Sequence, residues 1–159
     1  MRVAIGNDHR GVGVKQRVVG LLRELGHDVT DHGASGHAST DYPDSAFLVA
    51  AEVAGGRADR GVLLCATGHG MCIAANKVCG VRAVNCRDVL DAELSRRHND
   101  ANVLCLSADL IGEELIDRMV RAWLTADFEG GRHARRRDKI AAYEQSYPLP
   151  TKTPPPAAG

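Results

Sequence analysis

Five short apolar runs, each followed by a stretch of helical period, constrain this chain more than any other feature. The runs are Val3-Ala4-Ile5, Asp28-Val29-Thr30 (the weakest), Val62-Leu63-Leu64-Cys65, Val81-Arg82-Ala83-Val84 and Val103-Leu104-Cys105-Leu106. None is long enough for a buried helix, and β-branched and aliphatic residues dominate them, so they read as strands. Between them the apolar positions recur at helical spacing. Val14, Val18, Leu21, Leu22 and Leu25 form one stripe, stopped at Gly26. Ala46, Val49, Ala50 and Val53 form another, stopped at Gly55-Gly56. Shorter helices are expected over Met71–Lys77 and Val89–Arg97. Leu115, Ile116, Met119, Val120 and Trp123 give the strongest stripe, and an arginine-rich helix runs from Arg132 to about Tyr147. Continuously apolar strands alternating with amphipathic helices predict an α/β fold: a three-layer, doubly wound, five-stranded parallel sheet with helices on both faces.

The 159 residues suffice for one domain with a substantial core, expected over 1–147. Five of the six prolines fall in 148–159, a segment too poor in apolar surface to offset its ordering entropy and expected to be disordered. Basic and acidic residues balance at a formal net charge of zero. No global field therefore draws the chain to nucleic acid or to an anionic membrane, and the few aromatics are not interleaved with the basic residues. The longest stretch without Asp, Glu, Lys or Arg, Gly61 to Asn76, is too short and too polar to span a bilayer. The N-terminus lacks the apolar core of a signal peptide, so the expected location is the cytoplasm. There the five cysteines are expected to be reduced. Cys65, Cys72, Cys79 and Cys86 recur every seven residues, but the run crosses Gly68, Gly70 and Gly80 and contains no CxxC pair, so no metal site is expected.

In doubly wound folds ligands bind beyond the carboxyl ends of the strands. The richest segment at that edge is Cys65-Ala66-Thr67-Gly68-His69-Gly70-Met71. A cysteine ends a buried strand, and a loop with two glycines opens a helix. Such a helix start lowers a thiol's pKa and stabilises an oxyanion; the alternative is a buried structural cysteine before an ordinary turn. Asp8-His9 follows the first strand and suits a sugar hydroxyl or a phosphate, or is a simple turn. His98-Asn99-Asp100 precedes the fifth strand, as an acid–base His with a positioning Asn or as a helix C-terminus where cations are favoured. Arg132 and Arg136 stand four apart on one helical face, where two guanidiniums could grip one phosphate or lie solvated.

Taken together, these segments resemble the type B ribose-5-phosphate isomerases, in the family shared with galactose-6-phosphate and allose-6-phosphate isomerases. The matching pieces are Gly6-Asn7-Asp8-His9, Thr40-Asp41-Tyr42-Pro43, Cys65 to Gly70, Ile73 to Lys77, Leu94 to Asp100 and Gly130-Gly131-Arg132-His133, in the family's order. The resemblance implies an aldose–ketose isomerase of sugar phosphates that uses no metal or organic cofactor. It implies that Cys65 moves a proton between C1 and C2 and that His98 opens the furanose ring. Asp8 and Asn99 would hold sugar oxygens, and His9, Arg132 and Arg136 the phosphate. Thr67 and the amides of Gly68, His69 and Gly70 would stabilise the enediolate, with Tyr42 and Ala66 lining the substrate. Some members use a glutamate a few residues after the cysteine position; here that slot is Met71, so the chain resembles the cysteine subtype. One departure concerns specificity. After strand five the family carries an arginine that helps hold substrate, whereas this chain has Ser107-Ala108-Asp109, an acidic group expected to repel phosphate if it faces the site. A tetrulose, hexose or other pentose phosphate is the alternative substrate. Outside this class stand a thiol redox sensor using Cys65 and Cys72, and a nucleotide-binding module. Against the latter, the chain has no Walker loop and no GxGxxG after strand one.

The same positions predict the assembly. Cys65 ends strand three, while His98 ends the helix leading into strand five and belongs near the opposite end of the sheet. The expected partner is therefore a second copy of the chain, a homodimer with shared active sites, with a tetramer as the alternative. No nucleic-acid or membrane partner is expected.

Overall fold

The computed structural model describes residues 1–146; the proline-rich 148–159 segment lies outside them. Five parallel strands, β1 (Arg2–Asn7), β2 (Asp28–Asp31), β3 (Arg60–Cys65), β4 (Ala83–Asn85) and β5 (Val103–Ser107), form one sheet in the order β2-β1-β3-β5-β4. The helices are α1 (Val12–Glu24), α2 (Tyr42–Ala54), α3 (His69–Ala75), α4 (Val89–Asn99), α5 (Glu113–Thr125) and α6 (Arg132–Ser146). The predicted architecture is borne out. The fourth strand is displaced: Val81 and Arg82 precede it, and Asn85 rather than Val84 ends it.

Alternation along the strands sorts their side chains onto two faces. Val3, Ile5, Val62, Leu64, Leu104 and Leu106 pack with α1 and with Ile116, Met119, Val120 and Trp123 of α5. Ala4, Leu63, Cys65, Val103 and Cys105 pack with Val49, Ala50 and Val53 of α2 and with Met71, Ala74 and Ala75 of α3. Cys65 thus belongs to the α2–α3 face. The three central strands are buried almost throughout, which is why their sequences are continuously apolar; β2 and β4 are edges and more polar.

After β1 the chain winds outward to β2 and then returns to β3 on the other side of β1. In doubly wound folds such a reversal, here at the carboxyl ends of β1 and β3, marks where ligands bind. Asp41 precedes α2, with Pro43 in its first turn, and Asp88 caps α4 by accepting the Asp91 N–H at 2.8 Å. Only His133 is buried among the described residues of α6, which leaves most of that helix facing solvent.

Candidate active site

At the carboxyl end of the sheet, Cys65 ends β3 and is 4% exposed. Its Sγ accepts the Gly68 N–H at 3.2 Å. That bond requires a left-handed turn, and Gly68 has φ +78°, a conformation L side chains rarely adopt. Two residues on, a Cβ at Gly70 would lie 2.6 Å from the Tyr42 ring, so the absence of a side chain lets α2 close over the loop. Of the three loop amides expected at an enediolate, Gly68 donates to Cys65 and His69 donates to Thr67 Oγ1 at 3.4 Å, which leaves the Gly70 N–H. The loop after β1 lies alongside. Asp8 is 6% exposed and donates its N–H to Leu64 O at 3.2 Å. His9 donates its N–H to Thr40 Oγ1 at 3.1 Å and accepts the Thr40 N–H on Nδ1 at 3.3 Å, which ties the β1 loop to the approach of α2.

Two further residues brace the cysteine loop. Asn85 ends β4, and its Nδ2 donates to Thr67 O at 3.2 Å and meets His69 Nδ1 at 2.7 Å. Arg87 Nη2 lies 3.0 Å from His69 Nε2. His69 therefore presents its ring to this bracket. Position at the carboxyl edge of a strand was the available signal for Asn85, hidden by placing the end of strand four at Val84.

At the amino end of the sheet a second cluster forms from the last turn of α4 and the first turn of α6. The rings of His98 and His133 stack at 4.3 Å and 3°. Glu129 Oε2 lies 3.8 Å from His98 Nε2 and 3.6 Å from His133 Nε2. Hydrogen bonding from Arg97 holds the Glu129 carboxyl below its ordinary range. Desolvation, then the charges of His98 and Arg132, push the His133 imidazole down. A cavity of about 540 Å³ opens here, lined in part by Arg82, His98, Asn99, His133, Arg136 and Arg137. Arg132 turns its Nε toward His133 Nε2, 3.3 Å away.

Asp100, at φ +50°, anchors this cluster from behind. It accepts from Arg96 Nη1 at 2.8 Å, Arg82 Nη2 at 2.9 Å and Arg137 Nη1 at 3.1 Å. Burial pushes its carboxyl up, but these guanidiniums outweigh burial and hold it below the ordinary range. The motif at 98–100 pointed to His98 and Asn99; the anchoring role of Asp100 depends on arginines distant in sequence.

His98, Glu129 and His133 are the one metal-capable trio among the described residues, with donor atoms within 4.8 Å of one another. Arg97 already occupies Glu129, and Arg132 faces His133; these cations oppose a divalent ion there.

Within one chain the two clusters stay apart. Asp8, His9, Tyr42, Cys65, Ala66, Thr67, Gly68, His69 and Gly70 gather at the carboxyl end, whereas His98, Asn99, Arg132 and Arg136 gather at the amino end. The register runs from Gly61↔Val103 to Cys65↔Ser107 between them, four steps of β5. At about 3.3 Å per residue that is roughly 13 Å, before the extra distance to the side chains. Asp109 lies at the carboxyl end, but its carboxylate is not the isolated negative charge expected: Arg10 Nη2 pairs with it at 2.9 Å. All five cysteines are free. The seven-residue recurrence scatters over β3, α3 and two connections, and Cys72 donates to Ala83 O at 3.4 Å. Burial pushes the Cys86 thiol up to about 12 and the Cys105 thiol well above its ordinary value.

A family model described as Ribose/Galactose Isomerase matches residues 3–140. The chain is 48% identical over 144 residues to ribose-5-phosphate isomerase B of Escherichia coli K12, covering 91% of this chain and 97% of that one. It is 41% identical over 145 residues to D-erythrulose-4-phosphate isomerase of Pectobacterium atrosepticum, covering 91% and 95%. Ribose-5-phosphate isomerase B of Mycoplasma genitalium, solved with bound ribulose-5-phosphate, superposes with a TM-score of 0.88 at 43% identity, covering 91% of this chain and 96% of that one.

Proposed function

Because the chain belongs to the ribose/galactose isomerase family, we propose that it interconverts ribose 5-phosphate and ribulose 5-phosphate by moving a proton between C1 and C2. The observation that carries this reading is the Cys65 thiol, buried at the carboxyl end of β3 with the Gly68 N–H aimed at its sulfur. A thiolate there takes the proton from C2 of the open-chain aldose. The electron pair left behind forms the C1–C2 enediolate with its charge on O1, the hydroxyl proton passes from O2 to O1, and the thiol gives its proton to C1, which leaves the C2 carbonyl of the ketose. Thr67 Oγ1 and the Gly70 N–H are the donors at hand for the developing oxyanion.

The ring form of the sugar must open first. His98 performs this step, with Asn99 and Asp8 on sugar oxygens and His9, Arg132 and Arg136 on the phosphate. Since one protomer holds these groups at opposite ends of its sheet, each site is assembled from two protomers related by a two-fold axis. The exposure of α6, which carries Arg132 and Arg136 but buries only His133, supports a partner in that position. The reaction belongs to the cytoplasm. No described helix is long and apolar enough to cross a membrane.

Cys65→Ser tests the assignment. A hydroxyl is far harder to ionise than a thiol, so turnover of ribose 5-phosphate should fall by about two to four orders of magnitude while binding persists. Turnover within threefold of wild type would overturn the role of Cys65. A second reading, a four-carbon ketose phosphate as main substrate, draws on Asp109 and on the 41% identity to the D-erythrulose-4-phosphate isomerase, against 48% to the ribose-5-phosphate isomerase B of Escherichia coli K12. Assay of four-, five- and six-carbon sugar phosphates side by side decides between them.

A further inference from the structure

The loops after β1 and β5 are joined by an ion pair, and the sheet order gives that pair a position. β1 and β5 flank β3 on either side, so their carboxyl ends stand two strand spacings apart, about 9.5 Å. A bridge from residue 10 to residue 109 must cross the end of β3, where Cys65 and Ala66 stand. Arg10 makes that crossing: its Nε and Nη2 both donate to Asp109 Oδ2, at 3.2 and 2.9 Å. Both ends are pinned against the site. The Arg10 N–H donates to Asp8 Oδ1 at 2.9 Å, and the Asp109 N–H donates to Ala66 O at 3.2 Å. Ser107 Oγ donates to the same Ala66 carbonyl and accepts the Leu110 N–H at 2.9 Å, which fixes the β5 loop.

The charge arrangement is selective. Asp8 and Asp109 place two carboxylates at this rim, an unfavourable surrounding for a dianionic sugar phosphate. Arg10 offsets one of them. With its guanidinium held from one side, Nη1 has no hydrogen-bond partner among the described residues, and the side chain is 56% exposed. A guanidinium fixed by a carboxylate on one edge and open on the other is suited to take an anionic or hydroxyl oxygen.

We propose that Arg10 is a substrate-binding residue, held by Asp109 across the carboxyl end of β3, and that Asp109 is its positioning residue. The inference rests on the isomerase reading for the identity of the ligand, a phosphorylated sugar. It has a signature that a merely structural ion pair lacks. Removing Arg10 alone deletes a cation and also exposes Asp109 to the anionic ligand, so the single variant is worse than the double variant that removes both.

The experiment measures the Kd of ribose 5-phosphate by titration calorimetry, and KM and kcat by ketose formation. The proteins are the full chain and its Arg10→Ala, Asp109→Ala and Arg10→Ala/Asp109→Ala variants. Loss of a charge-assisted hydrogen bond is worth about a tenfold weakening. Arg10→Ala should weaken Kd and KM by tenfold or more with kcat within about threefold. The double variant should recover part of that loss, and Asp109→Ala should weaken binding only a few-fold. A Kd for Arg10→Ala within twofold of wild type overturns the inference, as does a double variant no better than Arg10→Ala. If Kd depends on Arg10 but the wild type turns over none of the sugar phosphates, the isomerase reading falls and the binding role of Arg10 stands. If the wild type does not bind ribose 5-phosphate, both fall.

Discussion

Mixing two inactive variants should restore activity if each site draws on two protomers. On the proposed roles, Cys65→Ala removes the base and His98→Ala removes the ring-opening group. Each homodimer is inactive, because both of its sites lack the same group. Co-refolded in equal amounts, the chains pair at random, and half of the dimers are mixed. In a mixed dimer one site combines the two defects and the other combines the intact Cys65 of one chain with the intact His98 of its partner. Activity should therefore recover to about one quarter of wild type. The one-quarter follows from random pairing, and the proposal of shared sites behind it rests on the roughly 13 Å of β5 between the two clusters of one chain. Mixed dimers can be counted by tagging one variant and separating the three species. If the mixed species is present and recovers no activity, both groups act within one chain and the reasoning from the sheet fails.

Two smaller perturbations probe each end of the molecule. Gly70→Ala puts a Cβ 2.6 Å from the Tyr42 ring and should cost about 1–3 kcal/mol in urea unfolding; Tyr42→Ala in the same chain should return much of that loss, and no effect of Gly70→Ala would show that the ring is not fixed there. At the other end, the Asp100 carboxyl is held below its unfolded value, so its contribution to stability is present above the unfolded pKa of about 3.9 and is lost as pH falls through the folded value. Asp59, lowered to about 2 by Arg2, acts in the same direction. Unfolding curves between pH 5 and 2 should show a smaller acid loss for Asp100→Asn than for wild type, and an unchanged slope would remove Asp100 from the account.

The parts of the fold that can be read from the sequence are those that water enforces. β1, β3 and β5 are buried on both faces, so their runs are continuously apolar, and the stripe ending at Trp123 marks the buried side of α5. The edge strands are less legible because they lie half in solvent. For β4 the apolar signal of Val81 comes from a residue before the strand, packed beneath α3, and Asn85 at its end carries no hydrophobic mark. Strand order is not encoded in local periodicity, and the insertion of β5 between β3 and β4 depends on how helices cover the sheet. The same holds at the site. Cys65, Gly68 and Gly70 announce themselves as a strand end followed by a tight loop. Arg10 lies next to the expected Asp8-His9, but its meaning comes from Asp109, 99 positions away. Charge counting alone therefore predicted repulsion at Asp109, where the folded chain has an ion pair.

The placement of the two clusters at opposite ends of one sheet makes strand length a quantised variable. Adding a single residue to β3 or β5 would reverse which face every later side chain meets, moving Cys65 or Leu106 from one layer to the other. The span can change only in pairs of residues, about 6.6 Å at a time, and such a change would alter how far one chain's two clusters stand apart rather than the reach within either proposed site. Adaptation to a longer or shorter substrate is thereby excluded from the sheet and confined to the loops at its ends. There a residue such as Arg10 can be exchanged without disturbing a single strand pairing.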